Sequence, residues 1–343
     1  MFFLLVAGLL SACDREPELR QHRLAAFGTE VTITLRAGND NPDVVTAIDR
    51  EFQRMHRQWH AWEPGMLGDI NDALAESREI ELSPETIEII RRARDLEAAS
   101  NGLFNPAIGR LLSSWGFHAS DLPKGAAPAD NLIADLVRQS PSMGDLELGN
   151  RTLSSSNPAV QLDFGAYIKG VAVAKALDML ARDGIDHAIV NAGGDLGVIG
   201  RRGSRPWRAA VQHPDGGGGH YLARLDVEDG EFVFTSGNYR RYRRDEGIRH
   251  GHIIDPRDGY PADQVSSVTV IDVDGGSADA AATALAVAGP SEWARIAGDL
   301  GVERVMRVNA DGSIYITTAM AERIHWHKQQ PGTVQVISLS GRG

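Results

Sequence analysis

Across residues 29–35 polar and apolar positions alternate, which puts Val31, Ile33 and Leu35 on one face of an extended segment and predicts a strand lying on a core. The period then lengthens. Over residues 43–59 the apolar positions Val44, Val45, Ile48, Phe52 and Met55 recur at helical spacing, and over residues 84–99 Ile87, Ile90, Ala93 and Leu96 repeat the pattern. A third helix is predicted over residues 170–182 through Val171, Ala174, Leu177 and Leu180, followed by a short buried strand at 187–190 that runs into glycine. Further strands are predicted at 221–227, 231–235, 266–272 and 313–317, with helices over 278–288 and 291–300. Residues 123–131 and the four glycines 216–219 read as surface loops. Strands and helices that mix without strict βαβ alternation predict an α+β fold of mixed sheets with packed helices.

The bulk composition supports a folded, water-soluble body, with 42% hydrophobic and 24% charged residues. The 46 acidic residues outnumber the 35 basic ones, so a net charge of −11 excludes a nonspecific grip on nucleic acid. Any phosphate-bearing ligand must be held locally. The single cysteine, Cys13, excludes disulfides within the chain and a cysteine-based metal cluster. Its position carries another meaning. The apolar run Met1 to Leu10 falls short of the roughly 20 residues that span a bilayer and suits a signal peptide. The Leu10-Ser11-Ala12-Cys13 tetrapeptide that completes it resembles the bacterial lipobox, in which the cysteine is acylated. The expected organisation is a signal peptide over 1–12, a lipidated spacer over 13–23 and one domain over 24–343. Asp14 resembles an inner-membrane retention signal, so the expected location is the periplasmic face of that membrane.

Five segments are richer in glycine, small residues and carboxylates than packing requires. Residues 162–170, Leu-Asp-Phe-Gly-Ala-Tyr-Ile-Lys-Gly, pass from a strand end into a helix, where backbone N–H groups, Asp163 and Lys169 offer an anion site or a plain Asp cap. Residues 191–197, Asn-Ala-Gly-Gly-Asp-Leu-Gly, allow close backbone approach to a ligand or a tight turn, and their mismatch to GxGxxG disfavours a nicotinamide-binding domain. Residues 235–239, Thr-Ser-Gly-Asn-Tyr, form a polar turn able to contribute hydroxyls. Residues 250–261 concentrate His250, His252, Asp255 and Arg257, and histidine is the side chain best suited to moving a proton near neutral pH. A two-histidine zinc site there is weakly supported, because no third ligand stands at a suitable spacing. In residues 278–285, Ala-Asp-Ala-Ala-Ala-Thr-Ala-Leu, Asp279 and Thr283 lie four apart on one helical face. Hard oxygen donors of that kind suit Mg2+, although a helix-dipole role for the aspartate and back-bonding by the threonine explain the same residues.

Taken in order, these segments resemble the FAD:protein FMN transferase family, the ApbE-like proteins. The likeness also takes in Phe27-Gly28-Thr29, the turn Asn101-Gly102-Leu103-Phe104-Asn105-Pro106 and Trp115-Gly116-Phe117, and spans roughly residues 24–290. It implies an α+β flavin-transferase fold and an enzyme that uses Mg2+ to move FMN from FAD, its substrate, onto a Thr or Ser hydroxyl with release of AMP. Asp279 and Thr283 would bind the metal through side chains and Ala166 through its carbonyl. Phe27, Trp62, Phe104, Asn105, Pro106, Asp163, Lys169 and Ile253 match positions around FAD. His252 is the expected proton acceptor, with Asp255 holding its segment. The family commonly has Met where Phe27 stands, Asp where Asn105 stands, and a longer serine-rich segment where this chain has residues 64–68. The resemblance suggests flavoprotein subunits of membrane redox complexes as acceptors. With water as acceptor the same centre would be an FAD pyrophosphatase, and without turnover an FAD-binding lipoprotein; the motifs alone leave those alternatives open.

Overall fold

The computed structural model describes residues 18–38, 41–121, 124–214, 221–239, 241–327 and 333–339; the box ending at Cys13 and the glycine run 216–219 lie outside them. The chain opens with a hairpin of β1 (Leu19–Ala26) and β2 (Thr29–Arg36), then α1 (Pro42–Gln58), α2 (Met66–Ala75), β3 (Ile80–Glu81), α3 (Pro84–Ala99), α4 (Gly109–Ser114) and α5 (Asp130–Arg138). Next come β4 (Leu146–Leu148), β5 (Thr152–Ser155), α6 (Ile168–Arg182), β6 (Ala188–Ala192), β7 (Asp195–Ile199), β8 (Trp207–Gln212) and β9 (Tyr221–Val227). After β10 (Phe232–Gly237), β11 (Tyr242–Asp245), β12 (Ile248–Gly251) and β13 (Val265–Asp272), two helices follow, α7 (Gly275–Val287) and α8 (Trp293–Leu300). The described chain closes with β14 (Arg304–Asn309), β15 (Ile314–Thr317), α9 (Thr318–Ala321), β16 (Ile324–Trp326) and β17 (Val334–Ile337).

Nine strands form the principal sheet in the order β1-β2-β6-β7-β10-β13-β14-β15-β17. Its pairings are antiparallel except β15 with β17, so both faces show period-two alternation. Phe232 and Phe234 of β10 enter the larger core beneath α1, α6 and α7, whereas Val233 between them enters a second core against β8 and β9. The sheet is thus covered by helices on one side and by the three-stranded sheet β16-β9-β8 on the other. Two helices start by the same local device: Asn41 caps α1 and Ser83 caps α3, each followed by a proline whose missing N–H costs nothing there.

Several boundaries differ from the sequence pattern. Strand β1 begins at Leu19, inside the stretch read as spacer, because its polar side chains are carried on an edge strand whose backbone pairs residue for residue with β2. Helix α2 was not expected; its start at Gly65 has no side-chain cap to mark it. Helix α5 takes over the end of the predicted 123–131 loop from Asp130. Helix α6 begins at Ile168, two residues before the expected start. Helix α7 begins at Gly275, three residues early, because Asp274 rather than a residue nearer Ala278 supplies the cap through Ser277 N–H at 2.8 Å.

Candidate active site

Glycine and alanine let α6 and α7 approach until backbone touches backbone. A methyl group on Gly170 would stand 2.0 Å from the Gly275 carbonyl, so only glycine fits there. That contact brings Asp279, in the second turn of α7, against the first turn of α6, where its Oδ2 accepts the Gly170 N–H at 3.0 Å. Asp279 is therefore no N-terminal dipole residue. The Gly170 N–H would ordinarily reach back four residues to the Ala166 carbonyl; with that donor diverted, no hydrogen bond to the carbonyl is found among the described residues. One turn along α7, the Thr283 hydroxyl pairs with Ser236 Oγ of β10 at 3.0 Å rather than with its own helix backbone.

Two further charges complete this end of the site. Lys169 forms an ion pair with Asp195 at the start of β7, whose other oxygen accepts the Thr235 N–H at 2.8 Å. Burial pushes the Asp279 carboxyl up to about 7; the Lys169 ammonium pulls it down and Asp195 pushes it further up. With all three charged, the group carries one net negative charge in a place with little water. A carboxylate, a hydroxyl and a carbonyl at such a place form an oxygen donor set that suits a hard divalent cation. No cluster of three or more His, Cys, Asp or Glu side chains able to hold a metal is present among the described residues, so the zinc alternative considered for His250 and His252 gains no third ligand there. The His250 ring instead packs 5.3 Å from that of Trp115.

At the other end, Asp163 lies partly buried beneath an aromatic shelf. Burial alone would raise its carboxyl, but the His118 ring N–H at 2.9 Å, the Gly165 N–H at 2.7 Å and the Arg241 guanidinium outweigh it and hold the group below the usual carboxylate range. His118 stacks on Trp62 with ring centroids 5.6 Å apart, and Arg241 lies 5.3 Å from the Trp62 ring, which remains 37% exposed. Ring contacts continue through His60 and His56 to Phe27, which occupies the β1–β2 turn at φ 52°. Phe27 and Trp62 are thus joined through this row.

His252 directly follows β12. Its backbone N–H and its Nδ1 both reach the Arg241 carbonyl, at 3.2 and 3.1 Å. A carbonyl only accepts, so Nδ1 carries the hydrogen and Nε2 keeps its lone pair when the ring is neutral. Burial first, then the Arg241 charge, lower the imidazole to about 4, which keeps it neutral at pH 7. Ile253 is buried, with its N–H 3.4 Å from Asn238 Oδ1 and its carbonyl accepting the Ala262 N–H at 2.9 Å. Asp255 does not bond to His252. It exchanges backbone bonds with Tyr260 and Gly259 and forms a two-pronged ion pair with Arg257, whose other arm reaches Glu292 at 2.7 Å. Phe104 is buried against Tyr167, Asn105 ties Ala107 N–H to the Pro141 carbonyl, and Pro106 supports Asp163 by accepting its N–H at 2.8 Å. His118, Asp195, Ser236 and Arg241 escaped the sequence reading of the site. Asp195 and Ser236 lie within segments already marked as unusual, whereas His118 and Arg241 flank theirs and are recognised only through their contacts.

The chain resembles known proteins in both sequence and fold. A sequence model described as the ApbE family matches residues 27–306. The chain is 45% identical over 282 residues to an FAD:protein FMN transferase of Rhodobacter capsulatus, covering 82% of this chain but only 53% of that relative, so it spans about half of that protein's length. It is 28% identical over 310 residues to an FAD:protein FMN transferase of Vibrio cholerae, covering 88% of this chain and 91% of the relative. Among solved structures, the crystal structure of the ApbE protein of Thermotoga maritima superposes with a TM-score of 0.81 at 29% identity, covering 89% of this chain and 99% of that one.

Proposed function

Because the chain belongs to the ApbE family, we propose that it is a Mg2+-dependent FAD:protein FMN transferase that moves FMN from FAD to a Thr or Ser hydroxyl of an acceptor flavoprotein and releases AMP. The observation that carries the metal requirement is the Asp279 carboxylate, buried with a Lys169–Asp195 pair that leaves one negative charge over. Asp279, Thr283 and the Ala166 carbonyl would hold Mg2+, which when bound neutralises charge on the pyrophosphate. The acceptor hydroxyl forms a bond to the FMN-side phosphorus, the phosphorus–oxygen bond to AMP breaks, and the hydroxyl proton passes to Nε2 of His252. A neutral imidazole with Nδ1–H fixed on the Arg241 carbonyl is ready for that transfer at pH 7. Asp255 acts at one remove, by holding the turn that follows His252. The part-exposed Trp62 ring offers a surface for the flavin, and Asp163, Lys169, Phe27, Ile253 and the 104–106 turn frame the remainder of the FAD cleft. Acylation at Cys13 would hold the enzyme at the periplasmic face of the inner membrane, within reach of flavoprotein subunits of membrane redox complexes.

The test is to incubate the anchor-free protein with FAD, Mg2+ and an acceptor fragment and to follow acceptor mass together with AMP. A mass gain equal to FMN, lost with EDTA and in Asp279→Ala, is the expected result. AMP and free FMN with no modified acceptor would instead make the enzyme an FAD pyrophosphatase. Bound FAD without AMP would make it a carrier.

A further inference from the structure

The hairpin β11–β12 leaves the body between Arg241, whose guanidinium lies on Trp62, and His252. Its two faces have opposite characters. On the inner face Arg243 is buried and bonds to the carbonyls of Trp115, Gly125 and Ala126, His250 packs on Trp115, and Asp245 accepts the Ala127 N–H at 2.8 Å. The outer face pairs Arg244 directly with Arg249 and Tyr242 with Gly251. Both arginines are exposed, and their guanidinium carbons stand 5.3 and 4.8 Å from the Tyr242 ring. Neither has a carboxylate within ion-pair distance among the described residues. Like charges directly opposite in a hairpin oppose its folding, and here they stand unneutralised on a chain of net charge −11.

The face also leads somewhere. It passes from the arginine pair to Gly251, where a methyl group would meet Asn238 Oδ1 at 2.3 Å, and the next residue is His252. We propose that the outer face of β11–β12, through Arg244, Arg249 and Tyr242, docks an extended acidic segment of the acceptor polypeptide and leads its hydroxyl toward His252. Carboxylates of the segment supply the charge that the arginine pair lacks, and the Tyr242 ring supplies a flat apolar floor between them. The proposal rests on the transferase reading for the identity of the segment, but its binding can be measured separately.

Anisotropy with two dye-labelled peptides tests it, each with one central threonine, flanked by Asp and Glu in one and by Lys in the other. In the presence of FAD and Mg2+ the wild-type protein should prefer the acidic peptide by about ten-fold, and raising salt from about 0.05 M to about 0.5 M should remove most of that preference. Arg244→Glu with Arg249→Glu should abolish or reverse it, Arg244→Gln with Arg249→Gln should leave little, and FAD affinity should stay unchanged in both. Equal binding of the two peptides by the wild type, or an unaltered preference in the doubly reversed protein, would overturn the proposal. So would a loss that appears only in FAD affinity, or only in binding to phosphatidylglycerol vesicles, which would assign the face to the nucleotide or to a membrane. If the preference behaves as expected and no acceptor gains FMN mass, the docking face stands and the transferase reading fails.

Discussion

Replacing Asp279 by Asn separates a carboxylate held for a cation from one that merely stabilises the fold. Burial is the chief reason the Asp279 carboxyl is pushed up to about 7 from the ordinary aspartate value of 3.8. Each unit corresponds to about 1.4 kcal/mol, so ionising Asp279 in the folded chain costs up to about 4 kcal/mol relative to the unfolded one. The folded pKa is the higher of the two, so stability is full below the unfolded value and is lost as pH rises through about 7. Asparagine keeps an oxygen for the Gly170 N–H and removes the charge. Thermal unfolding in EDTA at about pH 5.5 and about pH 8.5 should therefore show a fall for the wild type and a much smaller one for Asp279→Asn. At the higher pH the variant should melt above the wild type by on the order of 5 °C. Added Mg2+ should narrow that gap, because only the wild type gains binding energy, about 2.7 kcal/mol at 100 times Kd. Flavin transfer should be lost in the variant. A variant that melts below the wild type in EDTA at about pH 8.5, or gains equally from Mg2+, would refute the assignment.

Three other substitutions probe the frame around this site. His252→Gln should lower transfer by about 10²–10⁴-fold with little change in FAD affinity. In the wild type, protonation of Nε2 should cut the rate as pH falls through about 4; an apparent pKa near the free-histidine value in initial rates would sink the base assignment. Gly170→Ala drives a methyl group into the Gly275 carbonyl and should cost about 1–3 kcal/mol in urea unfolding while weakening the response to Mg2+. Arg307 is fully buried and bonds through Nη1 to the Leu285 and Ala288 carbonyls at the end of α7. Arg307→Met leaves both without that donor, so a loss of about 2–4 kcal/mol is expected by the same measurement, and a loss within error would show that water replaces the guanidinium.

The helices and strands that alternation or helical spacing could reveal were legible because each buries one face: Ile48, Phe52 and Met55 of α1 and Val31, Ile33 and Leu35 of β2 all lie in the larger core. β1 and α2 escaped for local reasons, the one an edge strand rich in polar residues, the other without a capping side chain. The site was legible as a set of segments but not as an arrangement. Its decisive contacts join residues far apart in the chain, His118 to Asp163 across 45 positions and Asp279 to Gly170 across 109, and no local periodicity encodes such pairs. Even so, Asp163 and Lys169 were visible as charges beside a helix start, while the partner that Lys169 takes, Asp195, looked like part of a turn.

Helix α7 shows how composition becomes chemistry without any long-range signal. Its alanines and glycines are too small to keep it away from its neighbours, so it lies between the sheet strands β10 and β13 and helix α6, with nearly every residue buried. Large side chains at those positions would have pushed α7 outward and left Asp279 in water, where a carboxylate needs no partner. Buried instead, the carboxylate has one backbone N–H and a lysine already engaged by another acid, and its titration moves upward accordingly. A cation there would relieve a cost that the packing itself creates. The run Ala-Asp-Ala-Ala-Ala-Thr-Ala-Leu thus carries function through its small residues as much as through its two oxygens, since the alanines set the depth at which Asp279 must find a counter-charge.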